Sequence, residues 1–350
     1  LARELDHTGF DIKFYSFIPT SRCIKFGLQK KCIVSLFGII APFLILRRIF
    51  PKLSWIHIKV QDFIMGIFMR KCDICISLTG YVYAPRIAQK KGAIIIMERG
   101  SKHILEQKKI LEKNPHKKNE AIPNRNIKCN LKAYQFANFI SVASQHVKES
   151  FLLHQYPENR IFVNPYGVDL SMFKPLPNIP KKYDVIMVGG WGYEKGCDLI
   201  VEAIRKTNYS FIHVGSIKDV DFPQEKNFTH IDPVDQSKLI EYYNQAKVFI
   251  LPSRQDGFGM VLSQALACNL PIIGSNNCGA PDLKKMVELP EYITIIKDYT
   301  ADAIVTAIHT AIKNYEQLGE RIYAGNAIEN LTWEAYGKRY ANFLHKIIKQ

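Results

Sequence analysis

The chain has 350 residues, 47% of them hydrophobic and 23% charged. This is the balance of a globular protein with length for two domains of ordinary size. Its formal net charge of +15 is unevenly held: residues 1–175 carry about 28 Lys+Arg against about 12 Asp+Glu, and the remainder about 19 against about 20. A basic first half points to an anionic partner. No nucleic-acid recognition motif accompanies the charge, which leaves an anionic membrane leaflet or plain solubility charge. Of the eight cysteines only Cys72 and Cys75 are close together, in a segment that reads as a strand. A zinc or redox site is therefore not expected, and reduced thiols in the cytoplasm are the default.

In chain order, Leu1–Leu5 reads as the end of a helix and Phe10–Phe17 as a strand, with no signal peptide in view. A parallel α/β domain normally opens with a strand, so the expected start lies about 20 residues upstream. Cys32–Leu46 is apolar except for Ser35 and is flanked by Lys30, Lys31, Arg47 and Arg48. It is short for a membrane span, which needs about 20 residues. It reads as a helix pair lying in a membrane interface with basic ends on headgroups, or as a core helix of the first domain. Asp73–Leu78 and Gly92–Met97 read as strands around a helix at Tyr83–Lys91. The stretch Glu98-Arg-Gly-Ser-Lys-His103 follows at a strand's carboxyl end and so should face a cleft. Ser101 can cap the next helix; Arg99 and His103 are its reactive-looking groups, though His103 also fits a surface helix. The basic, proline-containing segment 108–132 is expected to be a loop over the cleft or a solvated insertion.

Phe139–Ser144 reads as a strand, with Ser144 capping a helix from His146 to Leu153. Pro175, Pro177 and Pro180 mark a linker, and Asp184–Gly190 is an apolar strand running into a glycine loop. Lys195 stands between that loop and the helix Cys197–Arg205. The helix dipole disfavours a cation there, which makes Lys195 the leading catalytic candidate. Short strands at Phe211–Gly215 and His230–Ile231 and a helix over Asp235–Gln245 lead to the most informative stretch, residues 248–274. Val248–Leu251 reads as a buried strand, Pro252–Gly259 as a loop, and Met260–Ala267 as a helix that Asn269 and Pro271 end; Pro271–Gly274 begins another strand. Gly257 and Gly259 let a ligand approach the backbone, the helix start favours an anion, and Asp256 can accept from sugar hydroxyls. Gln264 lies about two helical turns further on. A last amphipathic helix runs from Leu331 to about Lys349.

The segment Asp256-Gly-Phe-Gly-Met-Val-Leu-Ser-Gln264 resembles the signature of retaining glycosyltransferases with the GT-B fold, as do Asn164–Leu170, Val188–Gly196 and Asn277–Leu283. Glu98-Arg-Gly-Ser-Lys-His103 resembles a stretch of one bacterial branch of that family. The resemblance implies two Rossmann-like domains facing across a cleft: residues 1–175 for the acceptor, 176–325 for a nucleotide sugar, and 326–350 as a helix packing back on the first domain. It makes Lys195 and Asp256 catalytic. Gly189, Gly190, Gly257, Phe258, Gly259, Met260, Val261 and Gln264 become donor-binding, with Gln264 at the ribose. Glu98, Arg99, Ser101 and His103 become the acceptor side of the cleft. Asp256 and Gln264 stand where the family has two glutamates, and Gly190 where it often has a second base. The expected activity is hexosyl transfer from a nucleotide sugar to a saccharide, lipid-linked or of a cell-surface polysaccharide or lipopolysaccharide. No metal, no cofactor and no nucleic acid are expected, and the location is peripheral on the inner face of a membrane. The alternative is a degenerate relative that binds a nucleotide sugar or a partner without turnover.

Overall fold

The computed structural model describes residues 1–50, 56–116, 122–318 and 329–349. Twelve strands are described: β1 Phe14–Ser16, β2 Ile33–Ser35, β3 Ile74–Leu78, β4 Ile94–Arg99, β5 Phe139–Val142, β6 Ile161–Val163, β7 Tyr183–Val188, β8 Phe211–Val214, β9 Phe228–Ile231, β10 Ala246–Leu251, β11 Ile272–Ser275 and β12 Ile293–Ile296. They form a pair β1-β2, a sheet β3-β4-β5-β6 and a sheet β12-β11-β10-β7-β8-β9. Every pairing is parallel. Parallel strands must be joined by crossovers, so helices cover both faces of the sheets and the central strands read as unbroken apolar runs. Val248, Phe249, Ile250 and Leu251 of β10 and Val185, Ile186 and Met187 of β7 are accordingly buried in one core with the helices Cys197–Arg205 and Met260–Ala267. The latter helix ends as the sequence predicts: Asn269 takes φ 66°, the left-handed stop.

In the first half, β1 is shorter than the predicted Phe10–Phe17 run. The apolar stretch Cys32–Leu46 is not itself a helix pair. Its start forms β2 through pairing with β1, with Cys32 and Leu36 buried, and a helix follows only from Phe37 to Ile49. A second helix, His57–Phe68, packs beside it, and the rings of Phe43 and His57 stack at 6.1 Å. The predicted loop over 108–132 ends in a helix, Asn124–Phe136, and its residues 117–121 lie outside the described residues.

The last helix, Trp333–Ile348, is capped by Thr332, whose Oγ1 accepts from the Ala335 amide at 3.1 Å. Tyr336, Tyr340, Leu344 and Ile347 recur at helical spacing. They pack on Leu5 and Ile96 and against Phe139 and Phe162 of the first sheet. The loops that leave β10 and β11 meet the loops that leave β4 and β5.

Candidate active site

Two loops of the second sheet build the centre. After β7, Gly189 takes φ 127° and the chain enters a short turn, Tyr193–Lys195, closed by Gly196 at φ 74°. A β-carbon on Gly196 would strike the Pro252 carbonyl, so only glycine lets this turn lie directly on the loop that leaves β10. Arg254 clamps the two. Its guanidinium forms a bidentate pair with Asp198 at 2.6 and 2.7 Å, donates to the Tyr193 carbonyl at 2.8 Å and lies 3.8 Å from the Tyr193 ring centroid. Backbone N–H groups of Arg254 and Gln255 both donate to the Glu194 carbonyl. The outcome is an ion pair: Lys195 Nζ lies 2.5 Å from Asp256 Oδ2, both side chains about one fifth exposed. Burial pushes the neighbouring Glu194 carboxyl up, against the pull of Lys195. Beyond Asp256, Gly259 at φ 79° opens the helix Met260–Ala267, whose start carries no side-chain cap. The amides there are available to an anion.

The first half of the chain grips this loop from the other side. Ser144 Oγ donates to the Gly257 carbonyl at 2.6 Å, and the Gln145 amide donates to Asp282 Oδ1 at 3.0 Å. Gln255 Nε2 donates to Ser101 Oγ at 2.5 Å, and Lys102 Nζ to Asn277 Oδ1 at 2.7 Å. Gly257 sits so close to the Gly100 carbonyl that any β-carbon would collide with it. His146 is 8% exposed beside the Asp256–Gly257 backbone. Burial pulls its pKa down to about 3, and neither ring nitrogen has a well-formed hydrogen bond. A cavity of about 360 Å³ flanks these contacts, lined among others by Lys102, His146, Asn277, Asp282 and Lys285.

Lys195, Asp256, Gly257 and Ser101 meet at this junction, while Gly189 and Gly190 follow β7 and Gly259 and Met260 open the helix beyond Asp256. Several other predicted site residues do not meet there, for definite reasons. Glu98 turns toward the returning last helix, where it accepts from Tyr340 Oη at 2.6 Å and burial raises its carboxyl. Arg99 is engaged with the Lys102 carbonyl, Asn130 and Gln107, shaping its own loop. His103 is 5% exposed, stacked on His154 at 4.1 Å and next to Tyr134 and Phe151; burial takes it to about 3. It also takes the capping role expected of Ser101, its Nδ1 accepting from the Leu105 amide at 3.4 Å. Ser144, expected as a cap, spends its hydroxyl on Gly257.

Phe258 is 1% exposed, with its ring against Tyr166, and the half-buried Val261 packs on the core. Gln264 is 9% exposed, and its Oε1 accepts from Tyr243 Oη at 2.9 Å. Its Nε2 makes no hydrogen bond among the described residues. Residues that sequence reasoning passed over are Arg254, Gln255 and Lys102. Arg254 and Gln255 directly precede Asp256, and Lys102 sits inside the Glu98–His103 stretch, so adjacency was the available signal.

Known proteins resemble this chain in part of its sequence and in fold. Residues 171–327 match the family model described as "Glycosyl transferases group 1". A probable sucrose-phosphate synthase of Thermosipho melanesiensis is 26% identical over 242 residues, 61% of this chain and 56% of its own length. The GDP-mannose-dependent alpha-(1-6)-phosphatidylinositol monomannoside mannosyltransferase of Mycolicibacterium smegmatis is 23% identical over 59% of this chain and 62% of its own. The chain thus spans little more than half the length of these curated relatives. Among solved structures, Anabaena HepE with UDP and glucose superposes with a TM-score of 0.66 at 12% identity, covering 98% of this chain and 94% of that one. At that identity the likeness is one of fold.

Proposed function

We propose, from the match of residues 171–327 to the glycosyl transferases group 1 family model and from the GT-B fold of the chain, that the protein transfers a hexosyl unit from a nucleotide sugar to a saccharide with retention at the anomeric carbon. One observation carries the reading: Lys195 and Asp256 form an ion pair where the glycine loops of the second domain meet the first. Asp256 offers acceptor oxygens to hydroxyls of the donor sugar. A hydroxyl that takes over Asp256 loosens its hold on Lys195, whose ammonium then meets the diphosphate oxygens. Negative charge builds on those oxygens as the glycosidic bond breaks. A fixed cation and the first amides of the helix Met260–Ala267, which carries no side-chain cap, stabilise it more in the transition state than in the ground state. The free Nε2 of Gln264 suits a ribose hydroxyl. The scheme places the leaving-group charge on the chain's own groups and calls on no metal or other cofactor.

The acceptor enters from the first domain's side, past Ser101 and Lys102. A saccharide on a lipid carrier, or one of a cell-surface polysaccharide or lipopolysaccharide, is the proposed class. The relative named for a phosphatidylinositol monomannoside acceptor supports a lipid-linked one. So does the surface of the first domain, where Ile39, Ile45, Leu46, Ile49 and Phe50 of one helical segment and Ile58, Phe63, Ile67 and Phe68 of the next are exposed. Arg47 and Arg48 occupy the last turn of the first of these helices. An apolar face with basic ends suits peripheral attachment to an anionic leaflet on the cytoplasmic side. Among the described residues no helix is long and apolar enough to cross a membrane.

The test is nucleoside diphosphate release from a panel of UDP-, GDP- and ADP-sugars with and without saccharide acceptors, with NMR of the product's anomeric configuration. Release with none of them, together with no binding of any donor, overturns the reading. One observation favours a second reading, binding without turnover: Gln264 is an amide, and its oxygen is already held by Tyr243. Tight donor binding with neither transfer nor hydrolysis across the panel selects that reading.

A further inference from the structure

The site as drawn is short of positive charge. Lys195 is neutralised by Asp256 at 2.5 Å, while a nucleoside diphosphate leaving group carries two to three negative charges that call for cationic contacts. Position 190, at the end of β7, offers only a glycine.

A second loop supplies the missing cation. β8 lies beside β7 in the sheet, and the loop leaving it, residues 215–219, runs along the one leaving β7. The Trp191 amide donates to the Ser216 carbonyl at 2.8 Å, the Lys218 amide donates to the Trp191 carbonyl at 2.9 Å, and Trp191 and Ile217 form a parallel bridge. The indole of Trp191 is fully buried against Phe211, His213 and Phe222, which anchors the pairing. Lys218 is thereby laid across Gly190. A β-carbon built on Gly190 would collide with Cε of Lys218 and lie 2.8 Å from its Nζ. The Lys218 ammonium makes no hydrogen bond or ion pair among the described residues. The adjacent Asp219 is instead held by the Tyr193 amide at 2.9 Å and Asn114 Nδ2 at 2.7 Å. Lys195 and Lys218 both pull the Glu194 carboxyl down against its burial, so both ammoniums lie within electrostatic reach of that residue.

We propose that Lys218 is a donor-binding and catalytic residue: its ammonium holds the diphosphate oxygens from the loop after β8, in the space that a long cationic side chain at position 190 would occupy. The assignment rests on the glycosyltransferase reading above and adds a residue to it. It also explains how Gly190 is accommodated. A bulkier residue there would displace Lys218, so glycine at 190 and lysine at 218 form one device in two parts.

The experiment is titration calorimetry of UDP, GDP and ADP, and of the nucleoside of whichever binds, on the parent, Lys218→Ala, Lys218→Arg and the double variant Lys218→Ala/Gly190→Arg, with thermal melts as a folding check. Gly190 lies outside the left-handed backbone region, so arginine is tolerated there. Loss of one charged contact should weaken diphosphate binding about ten- to a hundredfold in Lys218→Ala. Nucleoside binding should be unchanged, Lys218→Arg near parent, and the double variant largely restored. Equal diphosphate affinity in parent and Lys218→Ala overturns the assignment and leaves the donor reading standing. An equal loss for nucleoside and diphosphate, or no recovery in the double variant, reduces Lys218 to a structural role and overturns it too. A parent that binds none of the three overturns the donor reading and this assignment together.

Discussion

Gly257→Ala separates the meeting of the two domains from donor binding. In the structure a β-carbon on Gly257 would overlap the Gly100 carbonyl oxygen and approach the Ser101 amide. Both are backbone atoms, which cannot rotate away. Carbon and oxygen settle at about 3.5 Å, so the two loops must part by more than about 1 Å. The backbone of Gly257 is outside the left-handed region, so alanine brings no local strain. Gly257 also lies in a loop between domains and not in either core. The melting temperature should therefore stay within about 2 °C of the parent. The displaced loop carries Asp256, and Ser144 and Ser101 hold it through hydrogen bonds of 2.6 and 2.5 Å that would lengthen together. A misplacement of about 1 Å in a catalytic group costs about a hundredfold in rate. The expected result is kcat reduced about a hundredfold, nucleoside diphosphate affinity by calorimetry within about threefold, and an intact fold. Parent-like kcat in the folded variant would refute the claim that the gripped arrangement is the reactive one. Abolished diphosphate binding would instead put the donor itself against Gly257.

Lys195→Ala should lower turnover about 10²- to 10³-fold with the fold retained, as expected for one lost transition-state contact; near-parent turnover in a folded variant removes Lys195 from the mechanism. Burial holds His103 and His146 at about 3 and His213 at about 4. The unfolded chain takes up those protons first, so the linked stability is complete above about pH 6.5 and falls toward pH 4, by about 1.4 kcal/mol per pH unit for each histidine. NMR titration in which any of the three protonates above about pH 5 contradicts this. Binding to anionic vesicles should weaken but persist at high salt, since basic contacts are screened and apolar burial is not; reversing Lys30, Lys31, Arg47 and Arg48 should reduce flotation, and equal flotation of that variant and the parent removes the electrostatic anchor.

The second domain was the more legible half, for a local reason. Val185–Val188 and Val248–Leu251 are unbroken apolar runs leading into glycine loops, and the helix Met260–Ala267 has its start set by Gly259 and its stop by Asn269, both written in the segment itself. The first half depends on partners remote in sequence. Cys32–Leu46 is one apolar run by composition, but pairing of Ile33–Ser35 with Phe14–Ser16 divides it. Polar residues at the carboxyl end of β4 can point into the cleft or toward covering helices. Tyr340 draws Glu98 inward from 242 positions away, and Asn130 on a neighbouring helix holds Arg99. Gln264 illustrates the same limit within the legible half: helical spacing puts it on a face, but only the buried hydroxyl of Tyr243 decides which of its amide atoms is left for a ligand.

These remote contacts also say how the site is made complete. The loop bearing Asp256 is clamped within its own domain by Arg254 and gripped from the other domain by Ser144 and Ser101. The position of the Asp256 carboxylate is therefore set by contacts from both domains, its own through Lys195 and the Arg254 clamp and the other through the loop backbone. The Lys195 and Asp256 side chains are each only about one fifth exposed, and in a drier site each charge acts more strongly on its neighbour. A donor bound to the second domain alone would meet the glycine loops and helix amides but a less constrained carboxylate. The hydrogen bonds to Gly257 and Gln255 are thus the physical link between the first domain and the loop that carries Asp256 to Lys195.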